Sequence, residues 1–225
     1  MLEKKLEKNY AVTRPAESAL ATNKVLRNTY ILLSMTLLFS ALTAGFAVAT
    51  NAPPLGLFIT LGGYFGLLFL TSALRNSPWG LVSVFALTGF LGYTLGPIIS
   101  LYLSIPGGSQ IVMTAMAGTG IIFLALSGYA LVSQKDFSFM GGFLMVGILV
   151  AFLAGLGAFV FQMPGLALAV SAMFVLLMSG LILWQTSEII HGGETNYIMA
   201  TVTLYVAIFN LFQSLLMLLG FASDE

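Results

Sequence analysis

Charged residues are scarce in this 225-residue sequence, and cysteine is absent. Charged side chains make up 7% of the chain, whereas a soluble domain carries about 25%. The lack of cysteine excludes disulfides, thiol nucleophiles and thiolate metal sites. The single histidine excludes a multi-histidine metal centre, and we expect neither a metal nor a cofactor. Because 59% of the residues are hydrophobic, the composition predicts an all-α integral membrane protein.

Seven apolar runs are long enough to cross a bilayer. A helix rises about 1.5 Å per residue, so about 20 residues span a hydrocarbon core of about 30 Å. Proline, glycine or charge separates each run from the next, and these residues stop a helix. The predicted spans cover residues 29–50, 55–74, 79–103, 111–133, 140–162, 166–187 and 197–220.

Glycine and proline within these runs predict local features of the helices. Two G-x-x-x-G pairs, Gly62 with Gly66 and Gly92 with Gly96, are expected to let neighbouring helices approach closely. Pro97 follows the second pair directly and is expected to kink or break the third span, because proline cannot donate a helical hydrogen bond.

The basic residues indicate how the chain is oriented in the membrane. Six of the eight precede the first span, Arg75 follows the second and Lys135 follows the fourth, so with seven crossings all lie on one side. The positive-inside rule then places the N-terminus in the cytoplasm and the C-terminus outside. A re-entrant sixth or seventh run would instead return the C-terminus to the cytoplasm.

The chain divides into a flexible cytoplasmic tail, residues 1–27, and a seven-helix transmembrane domain, residues 28–225. The tail has too little apolar content to fold alone. Acidic and basic residues balance to a net charge of zero, which gives no reason to expect nucleic acid as a partner. Membrane lipids are the expected surroundings of the second domain.

Small and polar side chains form a stripe along the seventh span. Spacings of three and four residues place them on one helical face: Ala200, Thr203, Ala207, Asn210 and Ser214. Such groups need protein partners in lipid, so this helix is expected to lie centrally. The stripe could hold helices together, which is the commoner role, or its polar members Thr203, Asn210 and Ser214 could line a polar path.

Two charged residues at the cytoplasmic side could form a pH-sensitive latch. Glu188 lies near the end of the sixth span and Arg75 ends the second, and protonating the acid would release an ion pair between them. Alternatively, both side chains reach into the lipid headgroups. His191 is a minor pH-sensing candidate, since histidine titrates near neutrality. No G-x-S-x-G elbow or second histidine accompanies it, so no catalytic residue is predicted.

Four segments in order resemble the Bax inhibitor-1 (TMBIM) family, and most closely its bacterial branch. They are L-R-N-T-Y-I-L-L-S from Leu26, G-F-L-G-Y-T-L-G-P-I from Gly89, K-D-F-S-F-M-G-G-F-L from Lys135 and E-I-I-H-G-G-E-T-N-Y-I-M-A-T-V-T-L-Y-V-A-I-F-N-L-F from Glu188. The resemblance covers nearly all of the membrane part. It implies a fold of six helices around a central seventh.

The resemblance implies two activities. Some family members are pH-sensitive calcium leak channels gated by paired acids and an arginine latch; Glu188 matches the first acid and Arg75 the latch, but the residues at the second acid, 202–207, are neutral. Bacterial relatives are associated with FtsH, a membrane-bound ATP-dependent protease that they restrain. We therefore expect a non-enzymatic inner-membrane regulator that binds the FtsH complex, with a leak channel for calcium or another cation as the alternative.

Overall fold

A computed structural model describes the backbone of residues 2–223 and the side chains of residues 24–223. All regular secondary structure in this part of the chain is helical. The helices are α1 (Leu2–Ala49), α2 (Leu57–Leu74), α3 (Trp79–Leu103), α4 (Gly108–Ser133), α5 (Gly141–Val160), α6 (Pro164–His191) and α7 (Tyr197–Ser223), with a short 3-10 turn at Ser138–Met140. The predicted tail, residues 1–27, lies mostly outside the described side chains and stays a prediction.

The seven predicted spans are confirmed, because the described residues contain seven helices long and apolar enough to cross a membrane. The sixth is longer than the predicted 166–187: α6 continues through Glu188 and ends at His191. It stops at Gly192, whose φ of 77° lies in the left-handed region that glycine adopts without strain. One charged side chain in the last turn is therefore not enough to end this helix.

The expected break at Pro97 is wrong, because α3 runs without interruption through it. Membrane helices tolerate an internal proline where neighbouring groups compensate for the lost hydrogen bond. Gly92 and Gly96 pack tightly against α1, and an added side chain would collide with Ser40 or Ala47, respectively. This pair is a packing contact, as predicted.

The other glycine pair does not pack as predicted. A side chain added at Gly62 or Gly66 would meet no described atom within 4 Å. Both glycines belong to α2, whose only buried residue is Thr71. An exposed helix face has no neighbour to approach, so the motif alone could not indicate a helix contact here.

The helices differ in how deeply they are buried. α7 packs against α1, α3, α4 and α6, whereas α2 packs mainly on α3 and α5 mainly on α6. Leu204, Tyr205 and Leu211 of α7 are fully buried. Since α2 and α5 are not among the main neighbours of α7, the implied ring of six helices around it is not confirmed.

Charge divides the bundle into two ends. The basic end is formed by the start of the membrane part of α1 and by the α2–α3, α4–α5 and α6–α7 connections. The neutral end is formed by the other three connections and the end of α7. The charged residues between positions 24 and 223 all lie at the basic end: Lys24, Arg27, Arg75, Lys135, Asp136, Glu188 and Glu194.

Candidate functional site

At the basic end, Asn196 attaches the α6–α7 loop to the α2–α3 turn. Its side-chain amide donates to the backbone oxygen of Arg75 at 3.1 Å and to Oδ1 of Asn76 at 2.9 Å. Its own Oδ1 accepts from the backbone amides of Ile198 at 3.0 Å and Met199 at 3.1 Å. Those amides belong to the first turn of α7 and have no partner within the helix. The Asn196 side chain therefore caps the N-terminus of α7 and attaches it to the turn that follows α2.

Arg75 and Glu188, the predicted latch residues, both lie at the basic end. Within residues 24–223 their side chains do not form an ion pair at 4.0 Å or less. Glu188 is partly buried in the last turn of α6, and its carboxylate lies against Gly193, where an added side chain would collide with it. Arg75 is exposed, and its backbone oxygen binds Asn196. The structure thus joins the α6–α7 loop to the end of α2 through an uncharged hydrogen bond, from Asn196 to the backbone of Arg75.

His191 joins the end of α6 to the α4–α5 connection. Its Nε2 lies 3.1 Å from the backbone oxygen of Gln134, and its Nδ1 lies 2.9 Å from the backbone oxygen of Ser187. Both oxygens are acceptors only, so both ring nitrogens can donate at once only when the imidazole is protonated.

The α4–α5 connection is also held by hydrogen bonds. The Ser187 hydroxyl donates to the backbone oxygen of Lys135 at 3.2 Å and accepts from the backbone amide of Phe137 at 2.9 Å. Oδ1 of Asp136 accepts from the backbone amide of Ser138 at 2.8 Å. Hydrogen bonds from Ser138 hold the pKa of the Asp136 carboxyl below its usual value. All three connections at the basic end are therefore fixed to a neighbour or to their own turn.

Hydroxyl groups also connect the helices, both near the basic end and in the middle of the bundle. The Tyr30 hydroxyl lies 2.8 Å from that of Ser127, linking α1 to α4. The Tyr205 hydroxyl donates to the backbone oxygen of Thr88 at 3.1 Å and lies 2.6 Å from the Ser40 hydroxyl, linking α7 to α3 and α1. A phenol inside an apolar run needs a partner, and that signal could have identified Tyr205 from the sequence.

The polar stripe of α7 divides between two environments. Asn210 lines two adjoining cavities of about 430 and 620 Å³, and Ser214 lines the larger one. Thr203 is not among the residues that line these two cavities. It precedes Asn210 by seven residues, or about 10 Å along the helix. The structure therefore brings Asn210 and Ser214 to one site and leaves Thr203 outside it.

The described side chains do not offer a site of the usual composition for a metal ion. Among them, no group of three or more histidine, aspartate or glutamate residues is close enough to hold one. Glu188, His191 and Asp136 share the basic end, yet the contacts described above direct them to backbone groups. The polar groups at the basic end form hydrogen bonds that hold the α2–α3, α4–α5 and α6–α7 connections in place.

Comparison with known proteins identifies close relatives. The family model described as "Inhibitor of apoptosis-promoting Bax1" matches residues 22–224. The chain is 54% identical over 208 residues to the "Modulator of FtsH protease YccA" of Escherichia coli K12, covering 92% of this chain and 94% of that protein. The same identity and coverage hold for the "Inner membrane protein YccA" of Escherichia coli O6:H1. An uncharacterized protein of Pseudomonas aeruginosa is 51% identical over 225 residues, the whole of both chains.

Proposed function

We propose a function from the premise that this chain belongs to the Bax1-I family, inhibitor of apoptosis-promoting Bax1. It is a non-enzymatic inner-membrane protein that binds an FtsH-type ATP-dependent protease and restrains its degradation of other membrane proteins. One observation carries this proposal: the 54% identity to a relative named as a modulator of FtsH protease extends over 94% of that relative. The correspondence covers the whole fold and not one motif.

The distribution of charge supports an orientation in which the basic end faces the cytoplasm. Lys24, Arg27, Arg75 and Lys135 all lie there, and the described part of the neutral end carries no charged side chain. Short cytoplasmic connections of membrane proteins are enriched in such residues. The proposed protease would then approach the bundle from the basic end.

The packing at the basic end suggests how the protein could restrain such a protease. An ATP-driven protease pulls on an accessible segment outside the membrane, and residues 1–23 precede the first candidate membrane span, which begins at Lys24. To extract α1 it must first break the contacts that α1 makes near this end, such as Tyr30 with Ser127. A substrate that is gripped but extracted slowly occupies the enzyme.

Deleting residues 2–20 tests this proposal. The half-life of a known membrane substrate of the protease is measured in cells that express the full chain, the deletion, or a chain whose residues 2–20 are replaced by a glycine-serine segment of equal length. We expect the full chain to lengthen the half-life and the deletion to abolish that effect. The glycine-serine replacement tests whether a tail of this length lengthens the half-life whatever its sequence. An undiminished effect of the deletion would exclude the tail from the interaction.

A cation leak is the second candidate, and the position of Glu188 favours it. This acid is partly buried in α6 at the same end of the bundle as Arg75, where a latch requires it. Cation flux into liposomes is measured between pH 5 and 8 for the natural chain, Glu188→Gln and the control Glu194→Gln. Flux that is lost only in Glu188→Gln supports the channel, and absence of flux throughout that pH range rejects it.

A further inference from the structure

A crevice runs along α7 from the middle of the bundle toward the neutral end. It consists of the two cavities of about 430 and 620 Å³, which share Phe174, Asn210 and Gln213. The first cavity lies between α2 and α5, and the second continues between the neutral ends of α3, α5 and α6. Because the same three side chains border both cavities, we treat them as one site with two compartments.

The crevice opens sideways, toward the lipid. Met145 and Leu149 line the first compartment and are 76% and 57% exposed on the outside of the bundle. Phe159 lines the second compartment and is also exposed. α2 and α5 approach each other there through Phe65 and Phe152, whose rings meet edge to face with centroids 5.9 Å apart. A ligand dissolved in the membrane could therefore enter without crossing the aqueous phase.

The lining combines aromatic rings with uncharged polar groups. The first compartment is bordered by the following aromatic side chains: Tyr64, Phe65, Phe152, Phe174 and Phe209. Within the described part of the chain, the side chains of Gln213 and Ser214 have no hydrogen-bond partner, and both line the second compartment. No charged residue lines either compartment. Aromatic walls favour a flat ring, and neutral donors in an apolar setting favour carbonyl acceptors.

The depth of these donors limits the kind of lipid that fits. Asn210 is thirteen residues from each end of α7, and Gln213 lies three residues farther on, or about 4.5 Å along the helix. The carbonyl groups of a phospholipid lie at the edge of the hydrocarbon core, about 15 Å from its middle. They do not reach Gln213 from their ordinary position, whereas a neutral lipid that dissolves inside the core does.

Size excludes another transmembrane helix as the occupant. Each compartment falls within the range of about 300–1,000 Å³ that is typical of small-molecule sites. A helix with its side chains is about 10 Å wide and would not enter without separating α5 from α2. A ring with one slender chain fits the shape, with the chain running toward the neutral end.

We propose that the crevice binds a neutral membrane lipid of the quinone class. The ring lies at the junction of the compartments beside Phe174, a ring carbonyl accepts a hydrogen bond from Gln213, and the hydrocarbon chain occupies the second compartment. This site is independent of the proposed action on a protease. It also places Asn210 and Ser214, two members of the polar stripe, in the lining of a binding site and not along an ion path.

Binding is tested with decylubiquinone added to the purified full-length protein in nanodiscs of phosphatidylethanolamine and phosphatidylglycerol. Native mass spectrometry gives the stoichiometry, and the rise in Tm with concentration gives the affinity. We expect one decylubiquinone per chain. Decylbenzene, which has a ring and chain but lacks carbonyl oxygens, should bind at least tenfold more weakly.

Two pairs of variants locate the site. Gln213→Leu should weaken binding about tenfold while Gln110→Leu, an exposed position on α4, should not. Gly155→Leu should block the second compartment, because Gly155 lines it and a Cβ there fits at 3.5 Å from Val170. Gly157→Leu, on the same helix but outside the crevice, should bind normally.

Equal binding by Gln213→Leu and the natural chain would overturn the proposal. So would retention of a phospholipid in the crevice together with no binding of decylubiquinone. If Gly155→Leu fails to fold, Gln213→Leu still decides the matter, because it removes the donor with little change in volume.

Discussion

Replacing Asn196 is the most direct way to measure what holds the basic end together. Asn196→Ala removes two cap bonds to the start of α7 and two donor bonds to the α2–α3 turn. Losing an asparagine cap costs about 1 kcal/mol. The two donor bonds lie at the exposed surface. Together they add about 1 kcal/mol at most, since an ordinary hydrogen bond contributes about 0.5–1.5 kcal/mol and exposed ones fall at the low end of that range. We expect Asn196→Ala to lower the free energy of unfolding by about 2 kcal/mol.

A second variant separates the cap from the attachment. Asn196→Asp keeps an oxygen that accepts from Ile198 and Met199, and a negative charge at a helix N-terminus is favourable. It removes the donor to Arg75 and places a carboxylate near that backbone oxygen. We expect a loss of about 1 kcal/mol, attributable to the attachment alone. Asn76→Ala, which removes only one exposed partner, should change stability less than either.

The assay is denaturant unfolding in mild detergent micelles, followed by the half-life of each variant in cells with and without the active protease. If basic-end contacts slow extraction, Asn196→Ala should be degraded faster only where the protease is active. The reasoning is refuted if Asn196→Ala is as stable as Asn76→Ala. It is equally refuted if the two variants unfold differently yet are degraded at the same protease-dependent rate.

Two further predictions concern a buried tyrosine and an acidic residue at the basic end. Tyr205→Phe leaves the Ser40 hydroxyl and the Thr88 oxygen without their phenolic partner, so unfolding in detergent should be easier by about 1–2 kcal/mol, whereas the same change at exposed Tyr129 should have little effect. The pKa of Asp136 is depressed in the folded protein, so its contribution is present above the ordinary carboxyl pKa and is lost as pH falls through the lower folded value. A pH series of unfolding midpoints should therefore show a small acid-side decline in the natural chain that is reduced in Asp136→Asn.

The transmembrane spans could be predicted from the sequence because lipid imposes a strict requirement. A spanning helix must satisfy its own backbone bonds over about 20 apolar residues, so length and composition are sufficient to find it. The helix α6 extends beyond the predicted residue 187 because that requirement says nothing about where a helix stops outside the hydrocarbon. Gly192, with its left-handed φ, decides that point, and Glu188 does not.

The site was less predictable because its residues meet only after folding. Glu188 and Arg75 could be assigned to the same end from alternation of the spans, but their spacing says nothing about which groups bind. Asn196 lies directly before α7, where asparagine is a common cap, and that signal was available. Its bond to the backbone of Arg75 joins positions 121 residues apart. Because every residue has a backbone oxygen, the sequence does not indicate which of them accepts this bond.

The contact between α1 and α3 at the neutral end differs in kind from the contacts at the basic end, and this difference bears on how the proposed protease would act on α1. At the neutral end α1 and α3 meet through Gly96 and Ala47, a close apolar contact without a hydrogen bond between side chains. In lipid such contacts gain little from the hydrophobic effect, because the surrounding chains are equally apolar. At the basic end the contacts of Tyr30, His191 and Asn196 are hydrogen bonds, each of which must break before a helix can leave. A protease pulling from the basic end meets the directional contacts first, so the resistance to extraction should be concentrated at the start of the process.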